Sequence, residues 1–262
     1  MRDLIGDIAR ATAFLSRLPV PERFFAGYDG RMGGLAGVFA LSGLVLSLPA
    51  GLLLALLAAC DASPMLAAFL TLAAQTMVTG ALHEDGLADC ADGFGGGRSR
   101  ERILEIMKDS RIGAMGAIAL VAVLLLKVAF IAAAGDNWWR AVLFATVLGR
   151  WVDLYGIFFF PAAREGGLGR NFRDFIQRRD FVFATVLMIL LCVLVSVAGA
   201  PVAAWPAALL RAAITFVLAL LTTHMLCRRW THALGGLTGD IYGALCEIGE
   251  TVALAAMSAT LR

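Results

Sequence analysis

This chain of 262 residues contains about seven long apolar runs, and each is long enough to cross a bilayer as a helix. Crossing a hydrocarbon core of about 30 Å takes roughly 20 predominantly apolar residues. Hydrophobic residues make up 60% of the chain and charged residues 16%, whereas soluble domains are roughly 45–50% apolar and about 25% charged. The runs therefore predict an all-α fold, a polytopic integral membrane bundle of about seven transmembrane helices. We place these helices at 35–59, 64–82, 113–134, 138–160, 181–200, 205–227 and 241–261.

Basic residues are sorted between the loops that join these runs. The segments 1–34, 83–112, 161–180 and 228–240 hold 17 of the 22 lysine and arginine residues, and the short loops on the opposite side hold none. By the positive-inside rule the basic loops face the cytoplasm, so we expect a cytoplasmic N-terminus. A net charge of +2 gives no reason to expect nucleic acid as a partner. The longest polar loop is too short to bury a core of its own, which predicts a single membrane domain over 1–262.

A dense acidic run follows the second apolar segment. Between positions 83 and 92 the chain carries His83 and four carboxylates, those of Glu84, Asp85, Asp89 and Asp92. In a helix Asp85, Asp89 and Asp92 fall at i, i+4 and i+7 and share one face, where like charges repel each other. A divalent cation removes that repulsion, and Mg²⁺ is usually held by a few carboxylates together with substrate phosphates. We predict a Mg²⁺ site with ligands among these four carboxylates, in a membrane enzyme whose active site lies on the cytoplasmic side.

A glycine-rich and basic segment continues the acidic run. Gly95, Gly96 and Gly97 permit a ligand to approach the backbone closely, and Arg98 follows directly. The planar guanidinium of arginine suits phosphate recognition, so the segment predicts a phosphate-binding loop. The alternative is a flexible glycine loop without a ligand.

The same loop ends in a second group of charged residues, Lys108, Asp109 and Arg111. Asp109 could complete the metal site, and Lys108 or Arg111 could bind a phosphate. The alternative is a solvated helix next to the membrane whose basic residues only fix the topology.

Acidic residues also interrupt the last apolar run and make it the weakest of the seven. Asp240, Glu247 and Glu250 share one face if a helix starts near Asp240. Acidic groups at membrane depth usually face the bundle interior and serve a function; a short surface helix outside the bilayer is the alternative. In the fourth run Arg150 and Asp153 lie three residues apart, and we expect them to pair with each other or with another helix.

Five stretches of sequence form a wider pattern: Phe14-Leu15-Ser16-Arg17-Leu18-Pro19-Val20-Pro21, His83-Glu84-Asp85-Gly86-Leu87-Ala88-Asp89-Cys90-Ala91-Asp92-Gly93, Gly95-Gly96-Gly97-Arg98, Glu105-Ile106-Met107-Lys108-Asp109-Ser110-Arg111-Ile112-Gly113 and Leu237-Thr238-Gly239-Asp240. Together they resemble the signature of the cobalamin synthase family, the adenosylcobinamide-GDP ribazoletransferases. The central stretches are long and specific, and matches near both ends mean that the resemblance spans most of the chain. Cys90 stands where we expect a small or hydroxylated residue, and this departure puts none of the acidic residues in doubt.

The resemblance implies a multi-pass enzyme of the bacterial inner membrane that acts late in adenosylcobalamin (vitamin B12) biosynthesis. Such an enzyme transfers the adenosylcobinamide phosphate group from adenosylcobinamide-GDP to α-ribazole or α-ribazole 5′-phosphate, releases GMP and requires Mg²⁺. The candidates for the group that accepts the proton of the attacking hydroxyl are His83, Glu84 and Asp109, and the sequence does not choose among them. The metal ligands are expected among Glu84, Asp85, Asp89 and Asp92, and the substrate-binding residues among Gly95, Gly96, Gly97, Arg98, Lys108, Arg111 and Asp240.

Two other functions stay open from the residues alone. A secondary transporter would explain the seven runs and the charged residues within them, such as Lys127 and Arg211, although no two related halves are visible. A phosphotransferase acting on a nucleotide-activated lipid alcohol would keep the enzyme class and change the substrate. The lipid bilayer is a partner in each case, and a homo-oligomer is compatible with the sequence.

Overall fold

The computed structural model describes residues 3–259. Many of its helices begin or end at residues that favour helix termini. The Ser63 side chain accepts a hydrogen bond from the backbone N–H of Leu66, with Pro64 in the first turn of that helix, and Gly80 ends it at φ 68°. Twelve α-helices form in this part of the chain: α1 (Leu4–Leu15), α2 (Gly33–Ala36), α3 (Phe39–Ala59), α4 (Pro64–Thr79), α5 (Leu82–Phe94), α6 (Arg100–Ile106), α7 (Ala114–Ala133), α8 (Trp138–Phe159), α9 (Leu168–Phe175), α10 (Arg178–Val197), α11 (Trp205–Leu234) and α12 (Gly239–Ser258).

Among the described residues six helices are long and apolar enough to cross a membrane, and a seventh crossing results if the bent pair α4 and α5 forms one span. The prediction of a helical, multi-pass membrane protein is therefore confirmed. The run predicted at 113–134 is α7, whereas the run predicted at 205–227 belongs to the longer helix α11. The weakest run forms α12, which starts two residues before the predicted position 241. Positions 260 and 261 of that prediction lie outside the described residues.

The centre of the bundle consists of α8 and α12. The apolar windows of α8 and α12 are 78% and 67% buried inside the protein, compared with 22% for α7 and 17% for α11. α12 packs against α5, α7, α8 and α11. Large apolar side chains on the outer helices, such as Leu52, Leu125 and Leu221, are exposed, as lipid-facing positions are in a membrane protein. The prediction of a single domain over 1–262 stays a prediction.

Short helices and loops cover one end of this bundle. In α9 the Asn171 side chain accepts a hydrogen bond from the backbone N–H of Met32 at 3.0 Å and donates one to the carbonyl oxygen of Gly30 at 3.1 Å. These bonds hold the loop before α2 against α9. The N-terminal segment and α9 thus lie together, beside the start of α12.

Candidate active site at the contact between α5 and α12

The acidic run lies on α5, which a sharp bend turns away from α4. Gly80 and Ala81 both adopt the left-handed conformation, with φ of 68° and 59°, and the two helices meet at 91°. Arg17 stabilises the bend, because its backbone N–H donates to the carbonyl oxygen of Val78 at 2.8 Å. Its side chain covers Gly80, where a Cβ would lie 2.4 Å from Arg17 Nε. The bend therefore directs α5 toward α7 and α12, against which it packs.

Two glycines let the backbones of α5 and α12 touch. A Cβ at Gly86 of α5 would lie 2.5 Å from the carbonyl oxygen of Asp240, and a Cβ at Gly243 of α12 would lie 3.1 Å from the Cα of His83. No larger residue fits at position 86 without a shift of one helix. The contact places the N-terminus of α12 beside the acidic run.

Asp85, Asp89 and Asp240 form what we call the acidic cluster. Asp85 is exposed, whereas Asp89 and Asp240 are half-buried. Asp89 experiences electrostatic repulsion from the other two carboxylates. A single nearby cation counters them within the described residues: the Arg164 Nη1 lies 3.7 Å from Asp240 Oδ2. Three carboxylates and one guanidinium leave excess negative charge, which suits a divalent cation with oxygen ligands.

Asp92, the third acid on the predicted face, joins α5 to α7. Its Oδ2 accepts a hydrogen bond from the backbone N–H of Gly113 at 2.7 Å, and its Oδ1 accepts one from Gly116 at 2.8 Å. The carboxylate therefore caps the N-terminus of α7, where unpaired N–H groups favour an anion. A Cβ at either glycine would lie 2.4 Å from an Asp92 oxygen. Metal binding by Asp92 stays a prediction.

The predicted phosphate loop is exposed. Gly95, Gly96 and Gly97 lie between α5 and α6, with Gly97 at φ 59°. Arg98 folds back over the end of α5 and donates to the carbonyl oxygen of Asp92 at 2.7 Å. The loop thus adjoins the acidic run, and phosphate binding by it stays a prediction.

The second charged group lies in the loop before α7. Lys108 and Arg111 are exposed. Asp109 accepts two hydrogen bonds from the Arg111 guanidinium, from Nε at 3.0 Å and from Nη2 at 2.6 Å. These bonds lower the pKa of Asp109 to about 2, so its carboxylate stays ionised at neutral pH. Asp109 is thus bonded to Arg111 and lies away from His83 and Glu84, the other two predicted proton acceptors.

His83 and Glu84 are buried beneath the acidic cluster. His83 Nε2 lies 3.9 Å from Asp153 Oδ2 of α8. Glu84 Oε1 accepts a hydrogen bond from the Thr76 hydroxyl at 2.6 Å, and Glu84 Oε2 is buried without a hydrogen-bond partner among the described residues. Glu84 therefore faces the interior, whereas its neighbour Asp85 is exposed.

Below Glu84 lies a buried ion-pair network that links three spanning helices. Lys127 Nζ of α7 donates to Glu247 Oε2 at 2.8 Å and to Glu250 Oε2 at 2.7 Å. Arg150 Nη1 of α8 lies 3.3 Å from Glu250 Oε1 and contacts the Cys246 thiol. The expected partner of Arg150 on another helix is thus Glu250. The two acids of α12 therefore compensate the two cations, and the ion pairs connect α12 to α7 and α8.

Sequence reasoning did not single out Arg164, and it took Arg100 only as a neighbour of Arg98 that could support phosphate recognition; in the structure both hold the loops around the site. Arg100 donates to the carbonyl oxygens of Leu234 at 2.8 Å and Ala163 at 3.1 Å. Arg164 pairs with Asp240 and also donates to the carbonyl oxygen of Leu104 at 3.1 Å. Arg164 was counted only among the basic loop residues, because no local pattern distinguishes a positioning arginine from one that fixes topology.

An aromatic cavity of about 150 Å³ opens next to the acidic cluster. Phe14, Phe39 and Phe172 form one wall. The ring centroid of Phe172 lies 5.4 Å from that of Phe14 and 5.5 Å from that of Phe39. Tyr242 lines the same cavity. Asp85, Asp240 and the buried pair His83 and Asp153 also line it. The cavity therefore combines an apolar, aromatic wall with carboxylates of the candidate metal site.

Comparison with known proteins places this arrangement in a family. Residues 7–258 match the family model described as cobalamin-5-phosphate synthase. Proteins named adenosylcobinamide-GDP ribazoletransferase match along the chain. The one from Herpetosiphon aurantiacus is 43% identical over 98% of this chain and 97% of its own length, and the one from Rhizobium meliloti is 40% identical over 98% of each. The one from Roseiflexus sp. is 53% identical over 70% of this chain and 63% of its own length. No solved structure matches. The chain belongs to the cobalamin-5-phosphate synthase family.

Proposed function

We propose that this protein is a Mg²⁺-dependent adenosylcobinamide-GDP ribazoletransferase. It transfers the adenosylcobinamide phosphate group to a ribose hydroxyl of α-ribazole or α-ribazole 5′-phosphate and releases GMP. The observation that carries the proposal is the meeting of Asp85, Asp89 and Asp240 across the Gly86 contact, in a chain of the cobalamin-5-phosphate synthase family. The names of its relatives support the same substrates.

The acidic cluster would hold the Mg²⁺. Its donors are carboxylate oxygens from two helices, and the Arg164 guanidinium compensates only part of their charge. The negative charge that develops on the leaving GMP would be neutralised by a Mg²⁺ held by these carboxylates. Asp92 and Glu84 stay predicted ligands that have other partners in this structure, the N-terminus of α7 and the Thr76 hydroxyl.

Basic residues from three loops are the candidates for binding the phosphate oxygens. Arg164 stands next to Asp240, and Arg98 lies at the end of α5. Lys108 and Arg111 are exposed in the loop before α7. Guanidinium groups bind phosphate oxygens through paired N–H donors, and this binding orients the phosphorus for attack.

Among the three candidates for the proton acceptor, the geometry favours His83. His83 borders the same cavity as Asp85 and Asp240, whereas Glu84 accepts a hydrogen bond from Thr76 and the carboxylate of Asp109 is held by Arg111. In the transfer, the ribose hydroxyl oxygen attacks the phosphorus of the cobinamide phosphate and its proton passes to His83. The bond to the bridging oxygen breaks, and GMP leaves with that electron pair.

The membrane orientation is part of the proposal. The loops around the site carry most of the basic residues, and the positive-inside rule places such loops in the cytoplasm. We therefore assign the N-terminus and the site to the cytoplasmic side of a bacterial inner membrane, where water-soluble nucleotides are available. A cysteine at exposed Asp136, on a loop between α7 and α8, should react with membrane-impermeant reagents only from outside.

The activity test uses the purified protein in lipid vesicles with Mg²⁺, adenosylcobinamide-GDP and α-ribazole 5′-phosphate. We expect GMP and a cobalamin product in equal amounts. Replacing adenosylcobinamide-GDP by a nucleotide-activated lipid alcohol should give no nucleoside monophosphate. If adenosylcobinamide-GDP yields no GMP with either form of α-ribazole, the proposed function is wrong; a nucleoside monophosphate released only from the activated lipid alcohol would assign the enzyme a different substrate.

A further inference from the structure

A second cavity, of about 180 Å³, lies at the end of the bundle opposite the candidate active site. It is formed where α8 and α11 begin and where α10 and α12 end. Its lining includes four alanines and two arginines, Arg140 and Arg211, and within residues 3–259 it contains no acidic side chain. We call it the arginine cavity. It combines small apolar side chains with two positive charges.

The two arginines bond to uncharged oxygens. Arg140 donates to the carbonyl oxygen of Ala198 from Nε at 3.1 Å and from Nη2 at 2.7 Å, and it also bonds to the Asn137 amide oxygen. Arg211 Nη1 donates to the carbonyl oxygen of Met257 at 3.4 Å. Both side chains are half-buried, and in the described part of the chain neither forms an ion pair. A partly buried cation favours a nearby anion.

Basic residues are unusual at this end of the bundle. Four basic loops hold 17 of the 22 lysine and arginine residues, and the short loops at the opposite end hold none. Of the other five, Lys127 and Arg150 belong to the buried ion-pair network, and Arg262 lies outside the described residues. Arg140 and Arg211 are the remaining two, and both line one cavity. Neither the loop charge that fixes topology nor an internal ion pair accounts for them.

Tryptophan side chains indicate that the arginine cavity lies at the depth of the lipid headgroups. The Arg140 guanidinium lies 4.7 Å from the centre of the Trp139 ring, and Trp205 begins α11. Tryptophan is enriched at the membrane–water interface. Leu194 of α10 and Leu210 of α11 are close in sequence to lining residues and are exposed. A lipid could therefore place its phosphate in the cavity and its acyl chains along these two helices.

We propose that the arginine cavity binds the phosphate group of an anionic membrane phospholipid between Arg140 and Arg211. Guanidinium groups bind phosphate oxygens through paired N–H donors. A zwitterionic lipid fits less well, because its headgroup cation would find no acidic partner in the lining; Asp136, close to Arg140 in sequence, lines a different cavity between α3, α4 and α7. The bound phosphate supplies the negative charge that the chain does not provide there.

Thermal unfolding of the purified, delipidated protein in a non-ionic detergent tests the site. Phosphatidylglycerol should raise the Tm of the wild type up to a plateau, because a ligand that binds only the folded state stabilises it. Phosphatidylcholine and inorganic phosphate at the same concentrations should change the Tm little. Native mass spectrometry should detect one tightly held phosphatidylglycerol per chain. None of these measurements uses a substrate, so they are independent of the proposed function.

Variants of the two arginines locate the lipid. Arg211→Gln should raise the half-saturating phosphatidylglycerol concentration about 10–100-fold, the effect of losing a hydrogen bond to a charged group, and Arg140→Gln should act in the same direction. Arg211→Lys keeps the charge without the planar fork and should weaken binding less than Arg211→Gln. Arg229→Gln is the matched control, because Arg229 is exposed near the other end of α11. It should leave the half-saturating concentration unchanged.

Three results would overturn the inference. The first is a wild-type Tm that does not respond to phosphatidylglycerol. The second is a half-saturating concentration that is equal in wild type and Arg211→Gln, or that rises equally in Arg229→Gln. The third is stabilisation by inorganic phosphate alone, which would make a soluble anion the ligand. If Arg211→Gln does not fold in detergent, Arg211→Lys takes its place, and wild-type lipid affinity in that variant and in Arg140→Gln would contradict the site.

Discussion

Gly86 lies so close to Asp240 that a Cβ at position 86 would be 2.5 Å from the Asp240 carbonyl oxygen. This contact determines how near the acidic run of α5 comes to the N-terminus of α12. Asp85 and Asp89 flank Gly86 in sequence, so the contact brings their carboxylates toward that of Asp240. A cation site formed by two helices requires this close approach.

Gly86→Ala tests the importance of the helix contact. The added methyl group pushes α5 from α12, and a displacement of about 1 Å at reacting groups can lower the rate about 100-fold. We expect a loss of GMP release of that order with normal membrane insertion. Gly51→Ala in α3 is the control, because a Cβ there meets nothing within 4 Å. Wild-type activity in Gly86→Ala would show that the contact does not position the site.

Asp92→Asn tests the cap of α7. Asparagine keeps one acceptor oxygen, so one of the N–H groups of Gly113 and Gly116 loses its partner. We expect a loss of stability of about 1 kcal/mol, visible as a lower Tm in detergent. Asp136→Asn is an exposed control. An unchanged Tm together with a higher Mg²⁺ requirement would identify Asp92 as a metal ligand rather than a cap.

Lys127→Met tests the buried ion-pair network. The substitution leaves Glu247 and Glu250 buried, with Arg150 as the remaining cation of the network among residues 3–259. Removing one partner of a buried ion pair costs about 3–5 kcal/mol, so we expect a strongly lowered Tm or loss of folded protein. Lys127→Met combined with Glu247→Gln should recover part of the stability, since the double variant removes one charge of each sign. A Tm equal to wild type in the single variant would contradict a structural function of the network.

The lengths of the apolar runs predicted the membrane helices well, because run length is a local property of the chain. The run at 113–134 is the helix Ala114–Ala133, and α12 forms a helix despite Glu247 and Glu250, since Lys127 and Arg150 compensate their charges. That compensation was not predictable, because Lys127 lies 120 residues from Glu247 along the chain.

The candidate site was predictable only in part. The acidic residues of α5 are adjacent in sequence, and helical spacing places Asp85 and Asp89 on one face. The approach of Asp240 depends on packing between helices that are distant in the sequence. The left-handed conformation of Ala81 has no local signal, since alanine rarely adopts it. In the sequence nothing distinguishes Arg164 from the other basic loop residues, because its contact with Asp240 exists only in the folded structure.

Asp109→Asn tests the choice of proton acceptor. Hydrogen bonds from Arg111 hold the pKa of Asp109 at about 2, below its ordinary value, so the carboxylate is ionised throughout the range from about pH 5 to 9 and contributes no step to a pH–rate profile there. We expect Asp109→Asn to keep the wild-type shape of the profile and most of the rate of GMP release, whereas His83→Gln should lower GMP release at every pH. A comparable loss of GMP release in Asp109→Asn would make Asp109 the base.

The Mg²⁺ dependence of GMP release in wild type and Asp240→Asn tests the central claim most directly. Asp240 reaches the acidic run only through the folded contact at Gly86, so its effect on the metal distinguishes a site shared by α5 and α12 from one built on α5 alone. We expect Asp240→Asn to raise the half-saturating Mg²⁺ concentration and to lower turnover, by about 10–100-fold. Wild-type turnover with an unchanged Mg²⁺ dependence in Asp240→Asn would contradict the claim.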